Sequence, residues 1–371
     1  MQFIDLHRQY DQIADGVQKR LSSILEHKAF IGGPEVKELE EKLAEYAGVK
    51  HVIGCASGTD ALTIPLMAYG INEKDAIFVP SFTFFASAES IRLAGGTPIF
   101  VDSDPVTFNI DAKDLERKIE YVIKEGRLTP KGIIAVDLFG MPANFRDVKK
   151  IAKKYNLFIL EDAAQGFGGT LDGQKACSFG DVAGTSFFPA KPLGCYGDGG
   201  AIFTNDDSLA EKMRSIHVHG QGKDKYDNIK IGLNSRLDSM QAAVLLEKLS
   251  IFDDELVKRN NVAVEYSRRL SSCFDTPKIP EGYTSSWAQY TLKADNIEHR
   301  ERIIKEMANA GIPVMIYYPI PIHKSGAFAD DYSWDMECCE DMSNRVFSIP
   351  MHPYLTLDEI SFICDTLIKI K

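Results

Sequence analysis

Residues 132–162 read GIIAVDLFGMPANFRDVKKIAKKYNLFILED, and this stretch decides the fold. It contains two short apolar runs, Gly132–Asp137 and Leu157–Asp162, each with the length of a strand. Between them, Phe145–Tyr155 places apolar side chains at helical spacing among charged ones. A strand, a helix and a second strand in this order are typical of an α/β fold.

The same alternation extends towards the N-terminus. Ala76–Pro80 and Thr97–Asp102 are further runs typical of buried strands, and Ser87–Ala94 between them is helix-like. Asp111 opens another predicted helix. The repeated alternation predicts a mostly parallel sheet covered by helices on both faces.

The pattern changes after residue 200. Residues 233–276 contain neither Gly nor Pro over 44 positions, and their apolar residues recur at helical spacing. This predicts one long helix, or two in line, that leaves the first domain for the second. The predicted domains are a large one over residues 1–250 and a small one over residues 251–371.

Both ends of the chain have predicted elements of their own. The N-terminal residues up to about Glu26 are predicted to be helical and to belong to the large domain. In the small domain, the predicted strands are Ala288–Leu292 and Val314–Tyr318, and the predicted helices are Arg300–Ala310 and Leu357–Ile370. The small domain is therefore predicted to be α/β as well.

The 371-residue chain carries 42 Lys and Arg against 53 Asp and Glu, which gives a formal net charge of −11. An acidic surface repels phosphate backbones, so the charge argues against non-specific nucleic-acid binding. A small phosphate-bearing molecule remains compatible with it, because a local pocket can differ in sign from the whole chain.

The sequence also bears on the compartment of the protein and on its relation to membranes. The seven cysteines include no CxxC pair, which argues against a metal site or a disulfide framework and favours the cytoplasm. The longest uncharged stretch, Met307–His323, contains three prolines and cannot form one membrane-spanning helix. The first residues lack the plan of a signal peptide. We therefore expect no membrane partner.

One lysine is unusual in its neighbours. Lys191 lies between Pro189 and Pro192 in the apolar and small-residue segment Ser186–Gly194. A desolvated lysine has a lowered pKa and can form a Schiff base with an aldehyde. The alternative is an exposed loop lysine, which this segment alone slightly favours.

Asp162 shifts the interpretation of Lys191 towards a lysine that binds a cofactor. It ends a predicted strand, and ligands of open α/β sheets bind beyond the carboxyl ends of strands. A buried aspartate requires a cationic partner, and the protonated ring nitrogen of pyridoxal phosphate is one such partner. The alternative is that Glu161 and Asp162 only cap the helix that follows.

A phosphate site and an aromatic face would accompany these residues. A turn of small residues with Gly58 and Thr59 opens a predicted helix, whose unpaired N–H groups and dipole favour phosphate. Phe84 follows the next predicted strand and offers a face to stack on a planar ring, whereas Phe82 and Phe85 are assigned to the core.

Taken together, these residues resemble fold-type I pyridoxal phosphate enzymes. Over nearly its whole length the chain resembles the DegT/DnrJ/StrS family of sugar aminotransferases. The resemblance implies a large domain with a mostly parallel, seven-stranded type of sheet and a small α/β C-terminal domain. It is carried by four motifs, Phe30–Val36, Glu161–Gln165, Gly197–Gly200 and Asn234–Asp238.

The resemblance implies roles around the cofactor ring. Lys191 would hold pyridoxal 5'-phosphate covalently and later shuttle a proton to and from the reacting carbon. Asp162 would keep the ring nitrogen protonated, Gln165 would contact the phenolic oxygen, and Phe84 would stack on the ring.

The resemblance also implies how the phosphate is bound. Gly58, Thr59 and Ser186 would bind it within one subunit. Asn234 would arrive from the partner subunit, so that a homodimer with shared active sites would be the active unit.

Residues 189–200 are similar to the branch that aminates UDP-2-acetamido-3-keto-glucuronic acid and related 3-keto sugars with L-glutamate as donor. In that branch an Arg, a His and a Tyr hold the sugar carboxylate. Arg236 and Tyr318 match two of them, but Tyr317 replaces the His. The alternative for Arg236 is a structural ion pair with Asp238.

The replacement leaves other substrates open. A 3-keto-N-acetylglucosamine without the carboxylate and a keto sugar acid not linked to a nucleotide both compete with the glucuronate. The resemblance also implies a role in polysaccharide or lipopolysaccharide biosynthesis. Further alternatives are a pyridoxal phosphate-dependent sugar dehydratase, which has His at the position of Lys191, and a non-catalytic regulatory protein.

Two remaining pairs receive structural interpretations. His217 and His219 are expected to be ordinary loop histidines, because no third metal ligand shares their local pattern. Cys338 and Cys339 lie among acidic residues and are expected to form a solvated surface pair.

Overall fold

The computed structural model describes residues 1–224, 226–329 and 335–371. The described strands are β1 (His51–Cys55), β2 (Asp75–Pro80), β3 (Thr97–Val101), β4 (Thr129–Val136), β5 (Phe158–Asp162), β6 (Thr170–Leu171), β7 (Gln174–Lys175), β8 (Val182–Ser186), β9 (Gly200–Thr204), β10 (Tyr283–Thr284), β11 (Tyr290–Lys293) and β12 (Val346–Ile349). The described helices are α1 (Leu6–His27), α2 (Pro34–Ala47), α3 (Gly58–Tyr69), α4 (Ala86–Leu93), α5 (Ala112–Glu125), α6 (Phe145–Tyr155), α7 (Asp207–Ile216), α8 (Ser239–Leu270), α9 (Ile297–Asn309), α10 (Glu337–Arg345) and α11 (Leu357–Ile370).

Seven strands form one sheet in the order β1-β9-β8-β5-β4-β2-β3. The neighbours from β8 to β3 run parallel, whereas β9 is antiparallel to both β1 and β8. The predicted fold class, with its mostly parallel seven-stranded sheet, is thereby confirmed. The register sets Val136 opposite Asp162 and Asp162 opposite Gly184, so three strands end side by side.

Helices cover both faces of this sheet because its strands are apolar on both sides. Ile133 packs in a core with α2, α5, α6 and α8, whereas its neighbour Ile134 packs in a core with α3, α4 and α7. This alternation follows from the two-residue period of a strand. The predicted strands and helices of this region agree with the observed elements to within a few residues.

The predicted long helix is a single element, α8, with 32 residues. Phe252 on α8 packs in the core of the large sheet, whereas Tyr266 packs in a separate apolar core with α9, α11, β11 and β12. The helix therefore contributes to two cores. The division at residue 250 falls inside this continuous helix and remains a prediction.

One predicted strand, Val314–Tyr318, is wrong. Only Met315 makes a strand-type bridge, to Ser348 on β12, and β12 pairs along its length with β11. After Met315 the chain turns back to the large sheet, where the Tyr318 hydroxyl binds Gln165. Pro319 and Pro321, which lack N–H groups, cannot extend a ladder.

The interpretation of the cysteine pair is also wrong. Cys339 is fully buried and Cys338 is partly buried. The Asp102 carboxylate, just after β3, accepts the backbone N–H groups of Cys338 and Cys339 at 3.1 and 2.8 Å. The acidic neighbours suggested that the cysteine pair is exposed to solvent. Instead, the first turn of α10 is covered by a carboxylate from the large sheet.

Candidate active site

The site lies where β5, β4 and β8 end and where α3 begins. Asp162 is the last residue of β5, and its side chain is buried. Its carboxylate accepts the Ser87 hydroxyl at 2.7 Å and the Ala164 N–H at 3.2 Å. Burial raises the pKa of Asp162, while these hydrogen bonds and the charge of Lys191 oppose the rise.

Lys191 lies in the loop between β8 and β9. Its backbone N–H donates to the Phe188 carbonyl at 2.8 Å, which closes a turn. The residue is partly buried. Burial lowers the pKa of Lys191, and the charge of Asp162 opposes that shift. Lys191 and Asp162 are thus close enough to influence one another's ionisation, although the described residues show no salt bridge between them.

A cradle for phosphate forms where α3 meets β8. Ser57 caps α3 by accepting the Asp60 N–H at 3.1 Å, and the first turn of any helix leaves N–H groups without intrahelical acceptors. A Cβ added to Gly58 would lie 2.6 Å from the Cβ of Ser186, which ends β8. Gly58, Thr59 and Ser186 are therefore brought to one place, and only glycine permits the close approach.

Gln165 is fixed from both sides of its amide. Its Oε1 accepts the Phe139 N–H at 2.7 Å, and its Nε2 donates to the Tyr318 hydroxyl at 2.9 Å. Tyr318 in turn lies against Phe82 and Phe84, at ring-centroid distances of 6.3 and 6.2 Å.

The aromatic residues after β2 divide between core and site. Phe82 is buried and Phe85 packs against Phe328, which agrees with their assignment to the core. Phe84 is 56% exposed, so one face of its ring remains accessible beside Tyr318.

Ser87 was not among the predicted site residues. It lies in the first turn of α4, and its hydroxyl also contacts the Thr83 hydroxyl at 3.2 Å. A small polar residue soon after an aromatic one is too common a pattern to have identified it. Ser87 is recognisable as a site residue only in the folded structure, where it contacts Asp162, 75 positions away in the sequence.

Asn234 and Arg236 lie elsewhere on the surface of the chain. They line a cavity of about 360 Å³ together with residues that include Ile31, Asp198 and Gln241. Lys191 and Asp162 do not line this cavity. Arg236 donates to the Asn234 side-chain oxygen at 2.6 Å, and the described residues show no ion pair between Arg236 and Asp238.

The two histidines have ordinary structural surroundings. His217 ends α7, and its Nδ1 lies 2.6 Å from the Arg214 carbonyl. Among the residues that the structure describes, no group of three or more His, Cys, Asp or Glu side chains is arranged to hold a metal ion. Nor does any helix in the described part of the chain combine the length and apolar character needed to cross a bilayer.

The residues present fit pyridoxal phosphate. Asp162 is a buried carboxylate whose hydrogen-bond donors among the described residues are all uncharged, which suits a protonated ring nitrogen. Lys191 has a lowered pKa, and Gly58 leaves space beside Ser186 at a helix start. When bound, the cofactor supplies an electron sink for chemistry at an amino-bearing carbon. Fold and site together define a fold-type I pyridoxal phosphate enzyme.

Comparison with known proteins gives the family. The DegT/DnrJ/EryC1/StrS aminotransferase family matches residues 11–368, and the chain belongs to this family. It is a pyridoxal phosphate-dependent sugar aminotransferase.

Individual relatives are similar over their whole lengths. The chain is 45% identical over 370 residues to the UDP-2-acetamido-2-deoxy-3-oxo-D-glucuronate aminotransferase of Pseudomonas aeruginosa, with 99% of each protein covered. It is 35% identical to the UDP-N-acetyl-3-dehydro-alpha-D-glucosamine 3-aminotransferase of Acidithiobacillus ferrooxidans, with 98% of this chain and 96% of the relative covered. A crystal structure of a DegT/DnrJ/EryC1/StrS aminotransferase from Brucella abortus superimposes with a TM-score of 0.97 at 47% identity, covering 100% of this chain and 99% of that one.

Proposed function

We propose that this enzyme transfers the amino group of L-glutamate to a UDP-linked 3-keto-2-acetamido hexose, of glucuronic acid or glucose type, in surface-glycan biosynthesis. The observation that carries the aminotransferase chemistry is the buried Asp162 carboxylate at the end of β5, which accepts the Ser87 hydroxyl at 2.7 Å and lies within electrostatic range of Lys191. The full-length similarity to two enzymes named for UDP-linked 3-keto sugars supports the substrate.

In this proposal each site residue has a defined task. Lys191 moves a proton to and from the reacting carbon, and its lowered pKa makes the neutral amine accessible as a base. Asp162 holds a proton at the ring nitrogen, and Ser87 fixes the carboxylate. Gln165 and Phe84 orient the ring from its edge and its face. The N–H groups at Gly58 and Thr59 and the hydroxyl of Ser186 bind phosphate.

The acceptor is recognised by Tyr317, Tyr318 and Arg236. Burial raises the pKa of Tyr317, so at neutral pH it offers an uncharged hydroxyl rather than a cation. A neutral donor suits a sugar hydroxyl as well as a carboxylate. This favours the N-acetylglucosamine type as the second candidate, and a keto sugar acid without a nucleotide is the third.

The active unit in this proposal is a homodimer, in which Asn234 and Arg236 reach the partner's site. Asn234 is exposed in the single chain, and apolar side chains near it in sequence, Ile229 and Ile231, are 60% and 85% exposed. In this proposal these side chains contribute to a contiguous apolar surface that the partner subunit covers. The free thiols of all seven cysteines support placement in the reducing cytoplasm.

Subunit mixing tests the shared site. Lys191→Ala and Asn234→Ala are each expected to be inactive as pure variants. Random mixing at equal amounts gives heterodimers with one intact site, which restores about a quarter of wild-type activity if each site draws on both subunits. Recovery of no activity in a mixture that demonstrably exchanges subunits would contradict the shared site.

Absorption spectroscopy and turnover test the reaction. The wild type with pyridoxal phosphate should lose its visible band on addition of L-glutamate and regain it with a UDP-linked 3-keto-2-acetamido sugar. Lys191→Ala should show neither change. A band that glutamate leaves unchanged would instead favour the dehydratase, and a spectral response without any turnover would favour the regulatory protein.

A further inference from the structure

The N-terminal segment, defined here as residues 1–5, lies against the candidate acceptor site. The ring of Phe3 packs edge-on against the ring of Tyr317, with centroids 6.2 Å apart and planes at 65°. The Phe3 carbonyl accepts the Met351 N–H at 3.2 Å. A residue near the chain start therefore contacts a residue that the proposed function assigns to the sugar.

The start of α1 is held by hydrogen bonds close to the N-terminal segment. Asp5 caps α1 by accepting the Arg8 N–H at 2.9 Å. The Arg8 guanidinium donates to the Tyr354 carbonyl at 2.8 Å and to both carboxylate oxygens of Glu359, at 2.9 and 3.0 Å. A bidentate pair of this kind fixes orientation as well as distance. The N-terminal segment and the start of α1 are thus held against the connection between β12 and α11 and the first turn of α11.

Tyr317 connects this segment to the cofactor site. Its ring lies 5.7 Å from that of Tyr318, which is bound to Gln165. Within the described residues the Tyr317 hydroxyl has no hydrogen-bond partner. The residue is partly buried, so its ring is positioned by packing while its polar end remains available to a ligand.

We propose that Phe3 determines acceptor specificity by fixing the ring of Tyr317. This inference rests on the proposed function, in which Tyr317 contacts the keto sugar. The Tyr317 ring makes edge contacts with the rings of both Phe3 and Tyr318. With Phe3 truncated, Tyr317 gains rotational freedom, and its hydroxyl no longer has a single position from which to distinguish sugars.

The substitution Phe3→Ala isolates this effect. It leaves the backbone bond to Met351 and the Arg8–Glu359 pair in place, so the segment stays anchored. Phe3→Tyr keeps the aromatic contact, and Phe3→Leu keeps apolar volume in case the alanine variant folds poorly. Phe362→Ala is the matched control, because Phe362 lies on α11 with 49% of its surface exposed.

The measurement compares two half-reactions in the holoenzyme. The glutamate half-reaction is followed by the loss of the visible band. The acceptor half-reaction is measured with a glucuronic acid-type and a glucose-type UDP-3-keto-2-acetamido sugar. Phe3→Ala should change the ratio of kcat/KM for the two sugars about five- to tenfold, the size expected for an aromatic contact near a ligand. Phe3→Tyr and Phe362→Ala should leave the ratio unchanged.

Two results would overturn the inference. An unchanged ratio in Phe3→Ala, with wild-type turnover intact, shows that Phe3 does not set specificity. An equal loss of rate in the glutamate and acceptor half-reactions would show that Phe3 has a general structural role. If the wild type turns over neither sugar, the proposed function itself fails, and the inference fails with it. Failure of the proposed function is therefore seen in the wild type, whereas failure of the inference alone is seen only in Phe3→Ala.

Discussion

The Gln165 amide donates to the Tyr318 hydroxyl at 2.9 Å, across 153 positions of sequence. The same side chain accepts the Phe139 N–H at 2.7 Å, so its orientation is determined at both ends. Tyr318 belongs to the segment that returns from the C-terminal core, and Gln165 belongs to the turn after β5. In the proposed function, the bond therefore ties the acceptor side of the site to the cofactor side.

Removing this hydroxyl should loosen Gln165 without displacing the ring. Tyr318→Phe keeps the contacts with Phe82 and Phe84 but deletes a hydrogen bond, which costs about 0.5–1.5 kcal/mol. We expect turnover or cofactor affinity to fall roughly three- to tenfold. Tyr155→Phe serves as the control. The Tyr155 hydroxyl binds Glu120 on the surface, so its removal should leave turnover and cofactor affinity unchanged. Equal behaviour of the two variants would contradict the prediction.

The hydrogen bond from Ser87 to Asp162 should set the acid limit of activity. Ser87 stabilises the carboxylate form and so lowers the pKa of Asp162 against the effect of burial. In Ser87→Ala that pKa rises, so the acid limb of the pH–rate profile should move to higher pH.

A neighbouring serine provides the control for this shift. Ser90 lies on the same helix and is buried, and its hydroxyl binds the Ser87 carbonyl at 3.1 Å rather than Asp162. Ser90→Ala should leave the acid limb in place. The prediction is tested by kcat/KM between pH 5 and 9, and it fails if both variants give the wild-type profile.

Gly58 should be essential for phosphate binding. Alanine there would set a Cβ 2.6 Å from the Ser186 Cβ, and relieving such overlap costs about 1–3 kcal/mol. We expect Gly58→Ala to weaken pyridoxal phosphate binding about tenfold or more while the fold persists. Gly326→Ala is the control, since an added Cβ there meets no atom within 4 Å. Cofactor titration by fluorescence checks both variants.

Asp137 and Glu161 form a buried carboxyl pair behind Asp162. Glu161 accepts the N–H groups of Phe179 and Gly180 at 2.7 and 3.3 Å. Asp137 accepts the Ala143 N–H on Oδ1, whereas its Oδ2 has no hydrogen-bond partner among the described residues. Burial, reinforced by the Glu161 charge, raises the pKa of Asp137 well above its usual range. Burial and the neighbouring Glu161 carboxylate thus favour the protonated form of Asp137.

This proton makes stability depend on pH. A carboxyl whose pKa is raised by folding stabilises the folded state at low pH, and that contribution is lost as pH rises through the folded-state value. Burial raises the pKa of Glu161 from 4.5 to about 7, so the free energy of unfolding should decline between these two pH values and level off above neutral pH. The slope would be about 1.4 kcal/mol per pH unit for one proton.

Asp137→Asn tests this dependence. The amide can donate to Glu161 at every pH, so the variant should fold and its stability should vary less between pH 4.5 and 7. Asp365→Asn, on the exposed side of α11, should keep the wild-type slope. Urea unfolding at several pH values provides the measurement. Parallel curves for Asp137→Asn and the wild type would show that the pair holds no proton.

The sequence by itself determined the elements and the chemistry that they carry. Helix α6 was predicted to the residue, and β5 to within one residue, because a two- or 3.6-residue period of apolar side chains is a local property. Lys191, between prolines, and Asp162, at the end of an apolar run, were singled out by their neighbours in the sequence, and the family resemblance implied their roles.

Only the tertiary structure decided which distant residues meet. The contacts of Ser87 with Asp162, of Tyr318 with Gln165 and of Asp102 with Cys339 each join segments from 75 to 237 positions apart. The failed strand at Val314–Tyr318 has the same origin, because tertiary contacts outweigh strand propensity there. Local patterns fix a strand or helix through its own periodicity, whereas the partner of each side chain depends on how those elements pack.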